Sequence, residues 1–201
     1  MIRVLLAEDQ AMIRGALAAL LAGEPDIEVV AQVERGDQVL PAALRTEPDV
    51  ALLDIEMPGK DGIAAAVDLR DHLPSCRAVI LTVFGRPGYM RRAVESGVTG
   101  FLLKDSPPDE LAVAVRRAAA GEPVFDPKLT MAALSEGASP LTAREREVLA
   151  LSADGASVDQ VARRLHLTSG TVRNHLSIAI QKLHSRNRIE AARIAEEKGW
   201  L

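Results

Sequence analysis

Glu8, Asp9, Asp54, Thr82 and Lys104 are side chains that could do chemistry together, because each closes a short apolar run. "VLLAED" ends on Glu8-Asp9, "VALLD" on Asp54, "AVILT" on Thr82 and "GFLLK" on Lys104. If the runs are strands of one parallel sheet, all of these groups stand on one rim, where such sheets bind ligands. Three neighbouring carboxylates repel and need a cation at neutral pH. Hard oxygen donors with open positions suit Mg2+, which keeps several waters. Mg2+ beside the Lys104 ammonium makes a place for a phosphoryl group, since both neutralise its oxygens. Asp54 is then a candidate nucleophile that forms an aspartyl phosphate, and Thr82 a hydrogen-bond donor to that group. Met57-Pro58-Gly59 turns the chain directly behind Asp54, so the backbone carbonyl near Glu56 can reach the metal. The expected ligands are therefore Glu8, Asp9, Asp54 and the Glu56 carbonyl. One aspartate at a strand end is ordinarily a loop cap, and one lysine ordinarily a surface charge. Five compatible groups on one rim are much harder to reach by accident.

The elements that must position these groups are legible as alternating periods. Apolar runs at 2–7, 27–33, 50–54, 77–83 and 99–104 alternate with helix-like segments near 10–22, 36–45, 62–72, 87–96 and 107–120. Strand–helix alternation implies an α/β fold, a parallel sheet covered on both faces. Right-handed crossovers leave few topologies. Five strands and five helices give a (βα)5 domain. Gly85-Arg86-Pro87-Gly88 reads as a flexible loop after the fourth strand, not a phosphate-cradling P-loop.

Residues 121–139, GEPVFDPKLTMAALSEGAS, mix Gly, Pro and Ser without clear period and read as a linker, in which LTMAAL could form a helical turn. From Pro140 the pattern is purely helical, with helices expected near 143–153, 157–164, 169–182 and 187–198. Thr142 with Glu145 forms a capping-box signature, and Thr168 can cap the third helix. The chain thus divides into 1–120, a linker at 121–139, and an all-α four-helix unit at 140–201. "SVDQVARRLHLTSGTVRNHLSIAIQKL" reads as helix, short turn, helix. Val172, Leu176, Ile180 and Leu183 give the second helix an apolar face. Its other face offers Ser169, Thr171, Arg173, Asn174 and Ser177, with Lys182 near the end. In helix-turn-helix proteins this helix enters the major groove, where Arg pairs with guanine and Asn with adenine. The bland alternative is a solvated polar face on a four-helix domain.

Charge agrees with two different partners. Residues 1–139 carry 14 Lys and Arg against 21 Asp and Glu, whereas residues 140–201 carry 10 against 7. One cysteine, Cys76, excludes a disulfide within the chain and favours a reducing compartment. The start has no charged leader followed by a long apolar stretch, and no run approaches a membrane span, so the expected location is the cytoplasm. Cys76 reads as a core filler, His166, His175 and His184 as too scattered for a metal site, and Trp200 as an anchor for the C-terminus.

"LLAEDQ", "LLDIEMPGKDG", "ILTVF" and "GFLLKD" resemble the receiver domain of bacterial two-component response regulators over residues 1–120. The resemblance implies a flavodoxin-like strand order 2-1-3-4-5, phosphorylation of Asp54 by a sensor histidine kinase, Mg2+ on Glu8, Asp9 and Asp54, and signalling through Thr82 and Lys104. It also implies an aromatic switch at Phe101, which lacks the tyrosine hydroxyl common there. Asp105 stands where many receivers have proline, which puts a cis bond after Lys104 in doubt. "LTAREREVLALSADG" and "VARRLHLTSGTVRNHLSIAIQKL" resemble the effector domain of NarL/LuxR (FixJ) type regulators, which places Arg173, Asn174 and Ser177 against bases of a double-stranded operator. Ser177 replaces a lysine found in some members. The fourth helix, with Ile189, Ala192 and Ile194, resembles a dimer-forming helix. "FGRPGYMRRAVESGVTGFLLKDSPPDELA" resembles the DesR-like branch, which implies a membrane-linked kinase and control of lipid desaturation.

These readings converge on a transcription factor that forms homodimers on phosphorylation, through helices four and five or one and five. Met12 and Val113 are the apolar candidates on helices one and five. It is not a conventional enzyme: the receiver would promote only its own Mg2+-dependent phosphorylation and dephosphorylation. Two alternatives remain at the level of sequence. One is a phosphatase with Asp54 as nucleophile, although Glu56 stands where haloacid-dehalogenase-type sites place a second aspartate. The other is a constitutive DNA-binding protein whose first domain only dimerises.

Overall fold

The computed structural model describes residues 1–83, 87–125, 130, 139–153 and 155–201, with the backbone alone at 87, 108 and 197. The chain forms two compact units, the first built from Met1–Gly85 and Met90–Thr130, the second chiefly from Met131–Leu201. In the first, strands and helices alternate: β1 (Ile2–Ala7), α1 (Ala11–Ala22), β2 (Ile27–Val33), a 3-10 turn (Gly36–Gln38) leading into α2 (Val39–Thr46), β3 (Val50–Asp54), α3 (Gly62–His72), β4 (Arg77–Thr82), α4 (Pro87–Glu95), β5 (Gly100–Leu103), α5 (Pro108–Ala119) and β6 (Val124–Phe125). The sheet is parallel throughout, in the order β2-β1-β3-β4-β5-β6. The expected order 2-1-3-4-5 is present, extended by one strand.

β1, β3 and β4 are central and read as continuous apolar runs because both of their faces are covered. Val4, Leu6, Val50, Leu52, Val79 and Leu81 pack with Leu21 of α1 and Leu111 and Val115 of α5. The alternate residues Leu5, Leu53 and Ile80 are equally buried. Burial of each such side chain stabilises the fold by about 1.5–3 kcal/mol, so an acid at the end of β3 is tolerated only where the strand leaves this core.

β6 lies inside the stretch that reads as linker. Its Val124 N–H donates to the Thr99 carbonyl at 3.0 Å, and Gly100 and Phe101 pair with Val124 and Phe125. Two residues are too few to show a period, which is why the pattern missed them. The segment LTMAAL and residues 85–86 of the expected loop lie outside the described residues. Pro87 and Gly88 belong to α4, with proline at the first helical position, where its missing N–H costs nothing. The Lys104–Asp105 bond is trans, as is every described peptide bond.

The second unit contains α6 (Ala143–Ala153), α7 (Val158–Arg164), α8 (Ser169–Lys182) and α9 (Arg188–Glu197). Thr142 and Glu145 form the reciprocal cap: Glu145 N–H donates to Thr142 Oγ1 at 3.3 Å, and Thr142 N–H to Glu145 Oε2 at 2.9 Å. Ser157 with Gln160, Thr168 and Asn187 cap the next three helices. Val148, Leu149, Val161, Val172, Ala179 and Ala195 centre one core. On α8 Ala179 is fully buried, as Val172 is, whereas Ile180 is only partly buried. On α9, Ala192 is in the core and Ile194 packs against it, so of the three expected interface residues only Ile189 stands exposed. Trp200 packs on this same core, with the Lys198 ammonium 5.2 Å from its ring centroid.

Candidate functional site

Four strands of the first unit, β1, β3, β4 and β5, deliver their functional groups as they leave the sheet. Glu8 follows β1 and is fully buried, Asp9 is exposed beside it, and Asp54 and Thr82 close β3 and β4 in buried positions. The β4–β5 register sets Thr82 against Leu103, and the next N–H, that of Lys104, donates to the Thr82 carbonyl at 2.8 Å. That bond fixes where Lys104 begins. Its Nζ then lies 2.6 Å from Glu8 Oε2 and 2.9 Å from Asp54 Oδ1. Asp54 Oδ1 also accepts the Ile55 N–H at 2.8 Å. Glu8, Asp9 and Asp54 each offer an oxygen within 4.8 Å of the others. Burial pushes the Asp54 carboxyl above the usual aspartate range, against the pull of Lys104. One lysine therefore serves two buried carboxylates, with a third at the rim, and this donor set fits a hard divalent cation.

Four features support this arrangement without showing in the sequence as chemistry. Arg14 in α1 donates to the Glu8 carbonyl at 2.6 Å and to the Asp9 carbonyl at 3.5 Å, and pairs with Glu34 at 3.8 Å. Gln10, the N-cap of α1, makes no side-chain capping bond; Arg14, together with the Gln10 N–H on Glu8 Oε1 at 3.2 Å and the Glu8 N–H on the Val33 carbonyl at 3.0 Å, holds the loop that carries both acids. Gly62 opens α3 against Asp54, where a Cβ would overlap the Asp54 carbonyl oxygen. Gly59 has φ +83°, a left-handed conformation that glycine adopts without penalty. Asp61 caps α3 through the Ala64 N–H at 2.6 Å and pairs with Arg92 of α4 at 3.1 Å. Glu56 is exposed directly behind Asp54, and Phe101 is fully buried between Ile80 and Phe125 of the flanking strands. Cys76 is buried, its thiol pushed up to about 12 mainly by that burial, which suits a core filler and not a reactive thiolate.

In the second unit Arg173, Asn174 and Ser177 share one exposed face of α8. Ser169 and Thr171 are half-buried and locally engaged: Ser169 Oγ donates to Asp159 Oδ1 at 2.6 Å, and Thr171 bonds Thr168 through both its N–H and its hydroxyl. Lys182, at the end of α8, has its ammonium 3.1 and 2.8 Å from the two carboxylate oxygens of Glu145.

Residues 4–116 match the family of the response regulator receiver domain, and residues 139–195 match the bacterial regulatory proteins of the luxR family. The chain belongs to the LuxR-type two-component response regulators. It is 48% identical over 201 residues to the transcriptional regulatory protein DesR of Bacillus subtilis (strain 168), with 100% of both chains covered. The nitrate/nitrite response regulator protein NarL of Escherichia coli (strain K12) is 35% identical, covering 94% of this chain and 92% of its own. Among solved structures, the response regulator ChrA of a heme-sensing two-component system matches with TM-score 0.59 and 32% identity, covering 100% and 98%. RcsB from Salmonella enterica serovar Typhimurium, 24% identical, shares the fold at TM-score 0.72 over 97% of this chain and 98% of its own. The regulator is therefore a DNA-binding transcription regulator of two-component systems, a family distinct from the phosphatases that its acidic pocket allows on chemistry alone. No helix among the described residues is long and apolar enough to cross a membrane.

Proposed function

We propose that the regulator is switched by phosphorylation of Asp54 by a sensor histidine kinase in the cytoplasm, and that the phosphorylated form dimerises and binds a double-stranded operator. The observation that carries this reading is the double ion pair of Lys104 with Glu8 and Asp54, both buried. Lys104 and Ile55 N–H hold Asp54 Oδ1, which leaves Oδ2 as the nucleophile. It attacks the phosphorus of a phosphohistidine, the P–N bond breaks as the O–P bond forms, and the histidine keeps the electron pair. Glu8, Asp9, Asp54 and the Glu56 carbonyl would hold Mg2+, and the bound ion neutralises charge on the phosphoryl oxygens. Lys104 exchanges part of its pairing with Asp54 for a phosphoryl oxygen, and Thr82 donates to another. These displacements draw the β4–α4 end of the receiver inward and bias Phe101 and the neighbouring helices toward a second packing.

On this reading residues 1–120 with β6 act as the receiver, and residues 140–201 as the DNA-binding unit joined by the linker. Arg173 and Asn174 face bases, and Ser177 reaches fewer groups than a lysine would. The full-length similarity to DesR supports the same architecture and the DesR-like branch. Intact-protein mass spectrometry with acetyl phosphate and magnesium tests the switch. One phosphoryl mass should be added to the wild type and none to Asp54→Asn. A wild-type chain that gains no mass under these conditions rules the reading out.

A further inference from the structure

α8 presents Arg173, Asn174 and Ser177 to solvent, but the cation at its C-terminal end is turned away from that use. Lys182 is bonded to both oxygens of Glu145, which is only 5% exposed. Glu145 stands in the first turn of α6, where the helix N-terminus favours a carboxylate, and its Oε2 also accepts the Thr142 N–H. One carboxylate thus closes the cap of α6 and anchors the end of α8. The start of α8 is anchored too, by Ser169 to Asp159 of α7. Arg144 of α6 donates to the Leu165 carbonyl at the end of α7 at 2.7 Å, so α6 and α7 are themselves tied together. The two anchors of α8 are 13 residues apart in sequence, about 20 Å along the axis, with Arg173 and Asn174 between them. Loss of the far anchor frees the helix to tilt about the near one.

We propose that the Glu145–Lys182 pair is a clamp that sets the pose of α8 on DNA, and that Lys182 is a positioning residue and not a phosphate ligand. The proposal rests on the reading that the Arg173 face of α8 meets DNA. A buried carboxylate stripped of its partner is worse than no charge at all. Lys182→Met alone therefore strands Glu145, and Glu145→Gln in the same chain relieves it.

The test uses the full chain, a mixed-sequence duplex whose binding is followed over a range of salt, and thermal melts read by Trp200. That residue is the single tryptophan and packs on the second core. Binding is measured well below the melting transition. Lys182→Met is expected to lower the Trp200 melting temperature by several degrees and to weaken duplex binding several-fold at every salt concentration, with unchanged slope. Glu145→Gln/Lys182→Met should recover most of both losses. A residue on a phosphate behaves otherwise: its removal lowers the slope of log K against log salt by about 0.9 and leaves folding alone. That result for Lys182→Met overturns the proposal. A lower melting temperature with an unmoved DNA line overturns it equally, since the pair would then serve stability only. A double variant no better than the single one removes the coupling on which the clamp depends. Arg173→Ala separates the underlying reading, because its slope should fall. If it does not, the Arg173 face is misassigned and the underlying reading fails; if it does, an unmoved DNA line for Lys182→Met is the failure of the clamp alone.

Discussion

Lys104 is the residue on which the pocket turns, because it neutralises two buried carboxylates at once. Removal of one partner from a buried ion pair costs about 3–5 kcal/mol, since the remaining charge is left uncompensated. Lys104→Met should therefore melt well below the wild type in EDTA. Magnesium should raise its melting temperature more than it raises that of the wild type, because a cation bound to the folded state alone stabilises by mass action. Thermal melts with and without magnesium check this, and equal magnesium shifts in the two proteins would contradict it. Arg14→Ala belongs to the same scale. It frees the carbonyls of Glu8 and Asp9, so calorimetric titration should show weaker magnesium binding with Asp54 untouched. The acids, the threonine and the lysine were legible because each ends an apolar run, a pattern set by the sheet. Arg14 was not, because it acts through backbone carbonyls, and nothing in the sequence marks a guanidinium that caps a loop. The partner of Lys182 was hidden for a related reason: a lysine on a polar face looks solvated until Glu145, 37 residues earlier, is brought beside it.

Among the elements, α3 and α6 show how a helix start can serve a site. Gly62 lets α3 begin in contact with the Asp54 carbonyl, where no side chain fits. Gly62→Ala must move either the helix or the end of β3. Overpacking of this kind typically costs about 1–3 kcal/mol, and phosphorylation from acetyl phosphate should slow with it. A wild-type melting temperature and rate in Gly62→Ala would show that the close approach is not needed. In α6, burial by itself would raise the Glu145 carboxyl, but Lys182 and Thr142 more than reverse this and hold it below the usual value of 4.5. A depressed folded value means that the stabilisation is fully present above the unfolded value and is lost as pH falls through the folded one. The Trp200-monitored melting temperature should therefore drop below about pH 4.5. Glu145→Gln should be lower at neutral pH and lose less on acidification. The caps of the C-terminal helices were readable because Thr142–Glu145 and Thr168 carry short-range signals. β6 was not, since a two-residue strand exists only through its pairing with β5. The α7–α8 turn hid its stop signal in His166, a left-handed residue where a glycine would have been recognisable.

At the scale of the whole molecule, the switch requires that a small change at the rim alter how one copy meets another. α1 and α5 lie side by side, with Leu20 and Leu21 of α1 and Glu24 just after it facing Asp109, Leu111 and Ala112 of α5 across a shallow groove. Met12 is 88% exposed on α1 and Val113 51% exposed on α5, and Leu20 is 44% exposed between them and the groove's end. Exposed apolar side chains are ordinary when scattered; Met12 on α1 and Val113 on α5 are the ones that we propose a second copy covers. In an isologous interface each substitution counts twice, so a charge at Val113 meets the partner's surface at two places. Val113→Asp should leave stability within about 0.5 kcal/mol of wild type, as surface changes do. Sedimentation of the acetyl-phosphate-treated variant should show it monomeric, whereas treated wild type should be dimeric and untreated wild type should not. Val94→Asp, on α4, serves as the counterpart, since Val94 is equally 51% exposed. A dimer that survives Val113→Asp and is lost in Val94→Asp moves the interface to helices four and five.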